Sequence, residues 1–368
     1  MPLQNSLRIN VPRAALHIIF LTLFSTDLYS LLFLKASCTA AFCTIRFNAM
    51  AQRAALLIGG VTHTNKEWKE CGQIASKLYE YPDGSREDFI SKCRNGDFKD
   101  VFALYRSNDS NKITGNFNEE LLDALPKTLK FICHNGAGYD NIDIPACTKR
   151  GILVSSTPIA VNDATADVAI FLMLGALRNI THSFQAVRAG EKSRLVVMRA
   201  LLTWKGKWRG NFSLGHDPKN KVLGILGMGG IGSAVARRAK AFGMKIQYHN
   251  RHKLPAGEEE DAEYVSFDEL LRTSDVLSLN LSLNASTRHI IAKPQFDAMK
   301  DGVIIINTAR GPLIDEAALV DALKSGKVWT AGLDVFEEEP KIHPGLLEAE
   351  NVVLLPHVGT ATFETQVS

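Results

Sequence analysis

A single stretch, Lys221 to Lys253, constrains this chain more than any other. It reads KVLGILGMGGIGSAVARRAKAFGMKIQYHNRHK, which is an apolar strand, a glycine turn, a helix and a second strand in immediate succession. Gly227, Gly229 and Gly232 supply G-x-G-x-x-G between VLGIL and SAVARRAKAF. In that position the first glycine permits a tight turn. The second lets backbone approach a pyrophosphate, and the third lets helix and strand pack closely. The helix N-terminus then turns its free N–H groups toward phosphate. The pattern predicts a dinucleotide-binding βαβ unit, with Gly227, Gly229, Gly230, Ile231 and Gly232 as candidate cofactor contacts.

The kind of dinucleotide is legible one strand later. An NAD-binding unit usually places Asp or Glu there for the ribose 2′-OH, whereas this chain has Tyr248-His249-Asn250-Arg251-His252. No carboxylate stands ready to repel a 2′-phosphate, and Arg251, with Asn250 beside it, can pair with one through charge-assisted hydrogen bonds. NADP(H) is therefore the expected cofactor. NAD(H) is the alternative if Arg251 and His252 form only a solvated loop.

Around this unit the chain is long enough for two domains. With 368 residues, 42 Lys and Arg against 39 Asp and Glu, 46% hydrophobic and 22% charged residues, it has a globular composition. The near-neutral charge excludes a nucleic-acid reader driven by electrostatics. Between Ala54 and Pro158 apolar runs alternate with polar helical stretches: AALLIGG, VFALYRS from Val101, KFICHNG from Lys130 and GILVSS from Gly151. This alternation predicts βαβ units and a parallel sheet. Asp163 to Ile180 carries apolar residues at helical spacing and predicts a long helix joining the two domains. The six cysteines (Cys38, Cys43, Cys71, Cys93, Cys133, Cys147) form no C-x-x-C pair and read as reduced thiols. No H-E-x-x-H or other metal-ligand spacing occurs, so no metal is expected.

Three further blocks complete the pattern: IIINTARGPLIDEAAL from Ile304, AGLDVFEEEP from Ala331 and NVVLLPHVGTAT from Asn351. Together with NGAGYDNID and GMGGIG, in this order, they make the chain resemble the D-isomer-specific 2-hydroxyacid dehydrogenases, from about Met50 to Thr362. The Asn250-Arg251 pair is most similar to the glyoxylate and hydroxypyruvate reductase branch. The resemblance implies two Rossmann-like α/β domains with an interdomain active-site cleft. One is a flavodoxin-like substrate domain (residues 50–158), and the other a doubly wound NAD(P)-binding domain (residues 159–354). It also implies a homodimer in the cytoplasm, acting on a small 2-keto or 2-hydroxy acid.

The chemistry agrees with that resemblance. A 2-keto acid needs its carboxylate held, its carbonyl polarised and a proton donor opposite the hydride. Arg310, after the apolar strand VIIIN, is always charged and can fork to carboxylate and carbonyl oxygens; by resemblance it is the catalytic arginine, binding substrate. His357 with Glu339 makes an acid/base unit in which the carboxylate raises the imidazole pKa and fixes its tautomer. Glu337 and Glu338 read as solvated neighbours. By resemblance Asp334 contacts the nicotinamide carboxamide, Thr165 and Thr308 line the nicotinamide side, and Gly136, Ala137 and Gly138 offer backbone N–H groups to the substrate carboxylate. A reading of a different class is a catalytically weak or inactive dinucleotide-sensing interaction protein of the same fold, since such relatives keep their catalytic residues. Pro356 stands where formate-oxidising relatives carry Gln, which argues against formate as substrate.

Three segments depart from the family pattern. Ala14 to Leu34 is apolar over a length that could span a bilayer, but contains His17 and Asp27, the latter at about 2.5–3.5 kcal/mol near a membrane centre. We expect Met50 to be the working start and residues 1–49 to be an upstream extension, with a membrane anchor or organelle-targeting segment as the alternative. Residues 191–206 (EKSRLVVMRALLTWKG) interrupt the family pattern; Gly190-Glu191 can be encoded by a splice-donor sequence, so a translated intron is expected. The same holds for Gln366-Val367-Ser368, where residues 355–368 are expected to hold only part of the return to the substrate domain.

Overall fold

The computed structural model describes residues 53–107, 110–181, 183–184 and 214–367. The extension 1–49, Met50 and the segment 191–206 lie outside the described residues, as do Cys38, Cys43 and Ser368. The chain divides into two units. One runs through Pro158 and includes Phe363 onward, and the other is Ile159–Thr362.

The first unit is built on five parallel strands, β1 (Ala54–Ile58), β2 (Leu78–Tyr81), β3 (Val101–Arg106), β4 (Phe131–His134) and β5 (Leu153–Ser155), in the order β2-β1-β3-β4-β5. Strand β1 is buried at all five positions, because both sheet faces are covered, as parallel crossovers require. Its side chains alternate between two cores. Ala54, Leu56 and Ile58 join Phe89, Phe117 and Leu121 on one face, while Ala55 and Leu57 join Trp68 and Phe131 on the other. Helices α1 (Asn65–Glu70), α2 (Arg86–Asn95), α3 (Ser110–Thr114), α4 (Glu119–Ala124) and α5 (Ile144–Lys149) connect the strands. Helix α2 shows how local sequence sets its ends: the Ser85 hydroxyl accepts from Asp88 N at 3.2 Å, and Gly96 stops the helix in the left-handed region at φ 85°. The order 2-1-3-4-5 is the flavodoxin-like one. Strand β2 leaves no mark in the sequence, because LYEY is a half-exposed edge strand without an apolar run.

The second unit begins with α6 (Asn162–Leu177), the long helix expected over Asp163 to Ile180. Seven parallel strands follow: β6 (Val222–Leu226), β7 (Lys245–His249), β8 (Glu263–Tyr264), β9 (Val276–Leu279), β10 (Val303–Asn307), β11 (Val328–Leu333) and β12 (Val352–Leu354). Their order is β12-β11-β10-β9-β6-β7-β8. This is the doubly wound arrangement, in which the chain reverses direction between β6 and β9 and leaves a crevice at their carboxyl ends. Helices α7 (Gly230–Lys240), α8 (Phe267–Thr273), α9 (Lys293–Ala298), α10 (Glu316–Ser325) and α11 (Pro344–Glu348) complete the unit, and α12 (Phe363–Gln366) belongs to the first.

Helix α6 lies on the β10–β11 side of the sheet, and Arg238 of α7 ties it down through Asp163 (2.9 Å) and Asp167 (2.6 Å). Cys71, Cys93, Cys133 and Cys147 are buried and free. Burial pushes the Cys93 thiol up to about 12 and the Cys133 thiol up to about 11. No helix among the described residues is long and apolar enough to cross a membrane.

The approach of α6 to the sheet depends on Gly332. A Cβ there would stand 2.8 Å from Leu172 Cβ and 3.1 Å from the Leu172 carbonyl oxygen. Gly332→Ala should therefore push helix from sheet and cost about 1–3 kcal/mol by overpacking. Urea unfolding tests this, and a midpoint equal to wild type would show that the contact is not tight.

Candidate active site

The glycine turn sits at the reversal point of the second sheet. Gly227 follows β6 at φ 100°, and a Cβ on it would lie 2.8 Å from the Asn280 carbonyl oxygen at the end of β9. A Cβ on Gly232 would lie 2.3 Å from the Gly227 carbonyl oxygen, so helix α7 can start this close to β6 only without a side chain. Gly230 is pressed against the Asn162 amide of α6, while the space beyond Gly229 is open. Ile231 is half-buried and packs against the core under α7. Asn250 braces the turn, its Oδ1 accepting from Met228 N at 2.7 Å. Arg251 is exposed and has no hydrogen-bond or ion-pair partner among the described residues.

Two buried polar atoms at neighbouring strand ends are left without partners. They are Asn280 Oδ1 after β9 and Thr308 Oγ1 after β10. Unsatisfied buried groups are costly; Asn280 lies against the glycine turn and Thr308 ends the next strand over, which fits a bound dinucleotide that would supply the missing partners. Asn280 carries no motif that sequence reading could single out; only the approach of β9 to β6 brings it here.

The Arg310 turn is built by Asn307, the last residue of β10. Asn307 Nδ2 donates to the Arg310 carbonyl at 2.8 Å and Oδ1 accepts from Ala309 N at 3.0 Å. Asn307 is not singled out in the sequence, although an amide closing a run of buried isoleucines is a signal of this kind of turn. Next, Gly311 packs directly on the Phe336–Glu337 peptide: a Cβ there would lie 1.9 Å from Phe336 C. This contact brings the Arg310 turn against the turn that carries Glu339.

After β11, Asp334 and Glu339 organise the histidine. Asp334 is buried, with Oδ1 accepting from Val358 N at 2.8 Å and Oδ2 from Gly359 N at 2.7 Å. These bonds grip the turn just past His357, which stands in the left-handed region at φ 57°, a conformation costing a non-glycine residue roughly 1–2 kcal/mol. Gly359 leaves room for the grip: a Cβ there would be 3.0 Å from Asp334 Oδ2 and 3.5 Å from the Thr165 methyl. Thr165, in the first turn of α6, is thus buried beside the same turn. Burial raises the Asp334 pKa, and the two backbone N–H groups oppose that rise.

His357 Nδ1 donates to Glu339 Oε2 at 2.8 Å, and Glu339 Oε1 accepts from Phe336 N at 3.0 Å. The Glu339 hydrogen bond raises the His357 pKa above that of an ordinary imidazole, against the effect of burial and of the Arg310 charge. Burial alone would raise Glu339. The hydrogen bonds from His357 and Phe336 N, with the charges of His357 and Arg310, outweigh it and leave the carboxylate below its usual range. With Nδ1 committed to Glu339, Nε2 is the nitrogen free to face a reactant.

Glu337 departs from the reading of a solvated neighbour. Its side chain is 19% exposed and accepts from His289 Nε2 at 2.6 Å and Arg288 Nη2 at 3.0 Å. Glu338 is solvated and pairs with Lys341. The glutamates differ because the turn after β11 directs one inward and the next outward.

In the first unit the Asn135–Gly138 loop follows β4. Gly136, at φ 154°, donates its N–H to Thr157 Oγ1 at 3.0 Å, and the Gly138 carbonyl meets His134 Nε2 at 2.8 Å. Ala137 and Gly138 are half-buried. The buried His134 sets this loop and was not singled out in the sequence.

Residues 170–359 match the family described as D-isomer specific 2-hydroxyacid dehydrogenase, NAD binding domain. The chain belongs to this family. It is 61% identical over 313 residues to 4-methyl-2-oxopentanoate reductase A of Aspergillus oryzae, covering 85% of this chain and 90% of that one. It is 42% identical to glyoxylate reductase 1 of Saccharomyces cerevisiae, with 84% and 87% covered. Among solved structures it is similar to a glyoxylate reductase from Paecilomyes thermophila, with 59% identity, a TM-score of 0.80, and 86% and 91% covered. The glycine turn, the Arg310 turn and the His357 turn all fall within the matched span of this dehydrogenase family.

Removing the Asp334 carboxylate strands two N–H groups, one of them on the buried Gly359. Asp334→Ala should cost about 2–3 kcal/mol, with Asp334→Asn costing less because one acceptor survives. Denaturant unfolding of both variants checks the order; equal midpoints for Asn and Ala would contradict it.

Proposed function

We propose that this dehydrogenase reduces a small 2-keto acid, glyoxylate or hydroxypyruvate, to the D-2-hydroxy acid, and that it prefers NADPH to NADH. The observation that carries this reading is the 2.8 Å His357–Glu339 hydrogen bond within the field of Arg310. Arg310 holds the substrate carboxylate and polarises the carbonyl, since a guanidinium can fork to two oxygens at once. His357, kept protonated by Glu339, gives the Nε2 proton to the carbonyl oxygen as it becomes a hydroxyl, and Glu339 stabilises the imidazole in the tautomer that can recover a proton. The nicotinamide, when bound, supplies the hydride. Gly227, Gly229, Gly230, Ile231 and Gly232 hold the pyrophosphate in this reading, and Thr165, Thr308 and Asp334 border the nicotinamide. Ala137 and Gly138 offer N–H groups to a carboxylate, whereas Gly136, whose N–H is given to Thr157 Oγ1, shapes the loop and does not donate. The NADPH preference rests on Arg251, exposed and unpaired among the described residues, and on Asn250 beside it.

A second reading is a branched substrate. It is favoured by the 61% identity to a protein named for reduction of 4-methyl-2-oxopentanoate, and the two readings differ only in the side chain that must be accommodated.

Oxidation of NADPH and NADH with glyoxylate, hydroxypyruvate and 4-methyl-2-oxopentanoate tests both. A higher kcat/KM for the branched acid would replace the first reading by the second. Turnover with none, despite dinucleotide binding, would leave the dinucleotide-sensing alternative. His357→Asn should lower kcat about 10²–10⁴-fold, and Arg251→Ala should lower kcat/KM for NADPH roughly tenfold while sparing NADH. Reduction needs the imidazolium, so activity should hold below the raised His357 pKa and fall as pH rises through it. Glu339→Gln should move that falling limb to lower pH, and an unmoved limb would count against the pair.

A further inference from the structure

We propose that Glu316 is a positioning residue for the Glu339–His357 pair, its buried carboxylate clamping the turn that carries Glu339 against the turn that carries Arg310. This rests on the acid/base reading of that pair. Glu316 opens helix α10, yet the helix does not need it as a cap, because the Asp315 side chain already accepts from Ala318 N at 3.0 Å. A first-turn glutamate could stay in solvent and still favour the helix dipole. This one is instead only 6% exposed, a costly place for a carboxylate. What it does there is accept from Glu337 N at 2.7 Å, while Glu316 N donates in return to Glu337 Oε2 at 3.4 Å.

The consequence follows from what lies on either side of Glu337 N. The Phe336–Glu337 peptide rests on Gly311, the residue after Arg310, at a distance no side chain would allow. The preceding amide, Phe336 N, donates to Glu339 itself at 3.0 Å. One peptide is thus held between the Arg310 turn and Glu316, and its neighbour aims the Glu339 carboxylate whose other oxygen meets His357. Arg288 and His289, from the connection between β9 and α9, brace the clamp from outside by binding Glu337 Oε1. His343, at the start of α11, and Glu338 are the remaining charged groups that act on Glu316. Without the Glu316 acceptor the turn loses a bond that no group on its own strand replaces, and the Glu339 hydrogen bond to His357 is formed less of the time.

The experiment is an NMR titration of the His357 imidazole in the full chain, its signal identified by loss in His357→Gln, and it does not depend on turnover. Glu339→Gln should bring the His357 pKa down to that of an ordinary imidazole. Glu316→Ala should produce roughly half of that downward shift or more, because the hydrogen bond that raises the pKa is weakened. Glu316→Gln should stay near wild type, since its amide oxygen still accepts from Glu337 N. Glu316→Asp keeps the charge but is one methylene too short; it should titrate like Glu316→Ala and serves if the alanine variant does not fold. A wild-type titration in Glu316→Ala or Glu316→Asp would overturn the inference. Equal lowering in Glu316→Gln and Glu316→Ala would also overturn it, since that is a field effect of the lost charge and not positioning. An unshifted His357 in Glu339→Gln would instead defeat the acid/base reading on which the inference stands.

Discussion

A parallel sheet covered on both faces leaves only its strand ends free for chemistry, and in the second unit the candidate groups obey that constraint, with Thr165 at the start of helix α6 as the exception. Strands β6, β9, β10 and β11 deliver the glycine turn, Asn280, Thr308 with Arg310, and Asp334 with Glu339 to the same carboxyl-end edge. Each strand pays its way as core through its apolar interior, so the last residue and the turn beyond it can be polar. Neighbouring strands are held in register by their hydrogen bonds, which brings turns distant in sequence within reach of one another.

Within that edge the turns hold each other through backbone amides. Asp334 grips the amides past His357, Asn307 closes the Arg310 turn on itself, and Gly311 lets that turn touch the peptide that Glu316 also clamps. Side chains that meet a reactant need fixed geometry to lower a barrier, and here rigidity comes from buried carboxylates and amides one layer behind them. Asp334 illustrates the economy of the arrangement: both its oxygens hold the His357 turn, so a buried charge is stabilised by the same bonds that set the histidine's place.

Much of the fold is legible in the amino-acid sequence. Strands β1, β3, β4 and β5 stand out as apolar runs, the long helix α6 as an apolar stretch with no breaker before Gly175, and the dinucleotide unit by its glycines. Strand β2 escaped because an edge strand such as LYEY exposes half its residues, and β8, two residues long, has no pattern to read. In sequence Glu337 reads as solvated because three adjacent glutamates look alike; a turn gives each a different direction, toward His289, toward solvent and toward His357.

What the sequence determined by itself is local: where strands and helices lie, which turn must lack side chains, and which chemical groups follow which strand. Backbone sterics and the side-chain period act over a few residues, so they leave their mark in the order of residues. The link between Glu339 and His357, 18 residues apart, came into view from the sequence only through family resemblance. The contacts of Asn280 with Gly227, of Asp334 with Gly359 and of Glu316 with Glu337 were decided by tertiary structure alone. Their partners follow different strands or, for Glu316, open the helix after one, and only the register and order of the sheet bring those segments together.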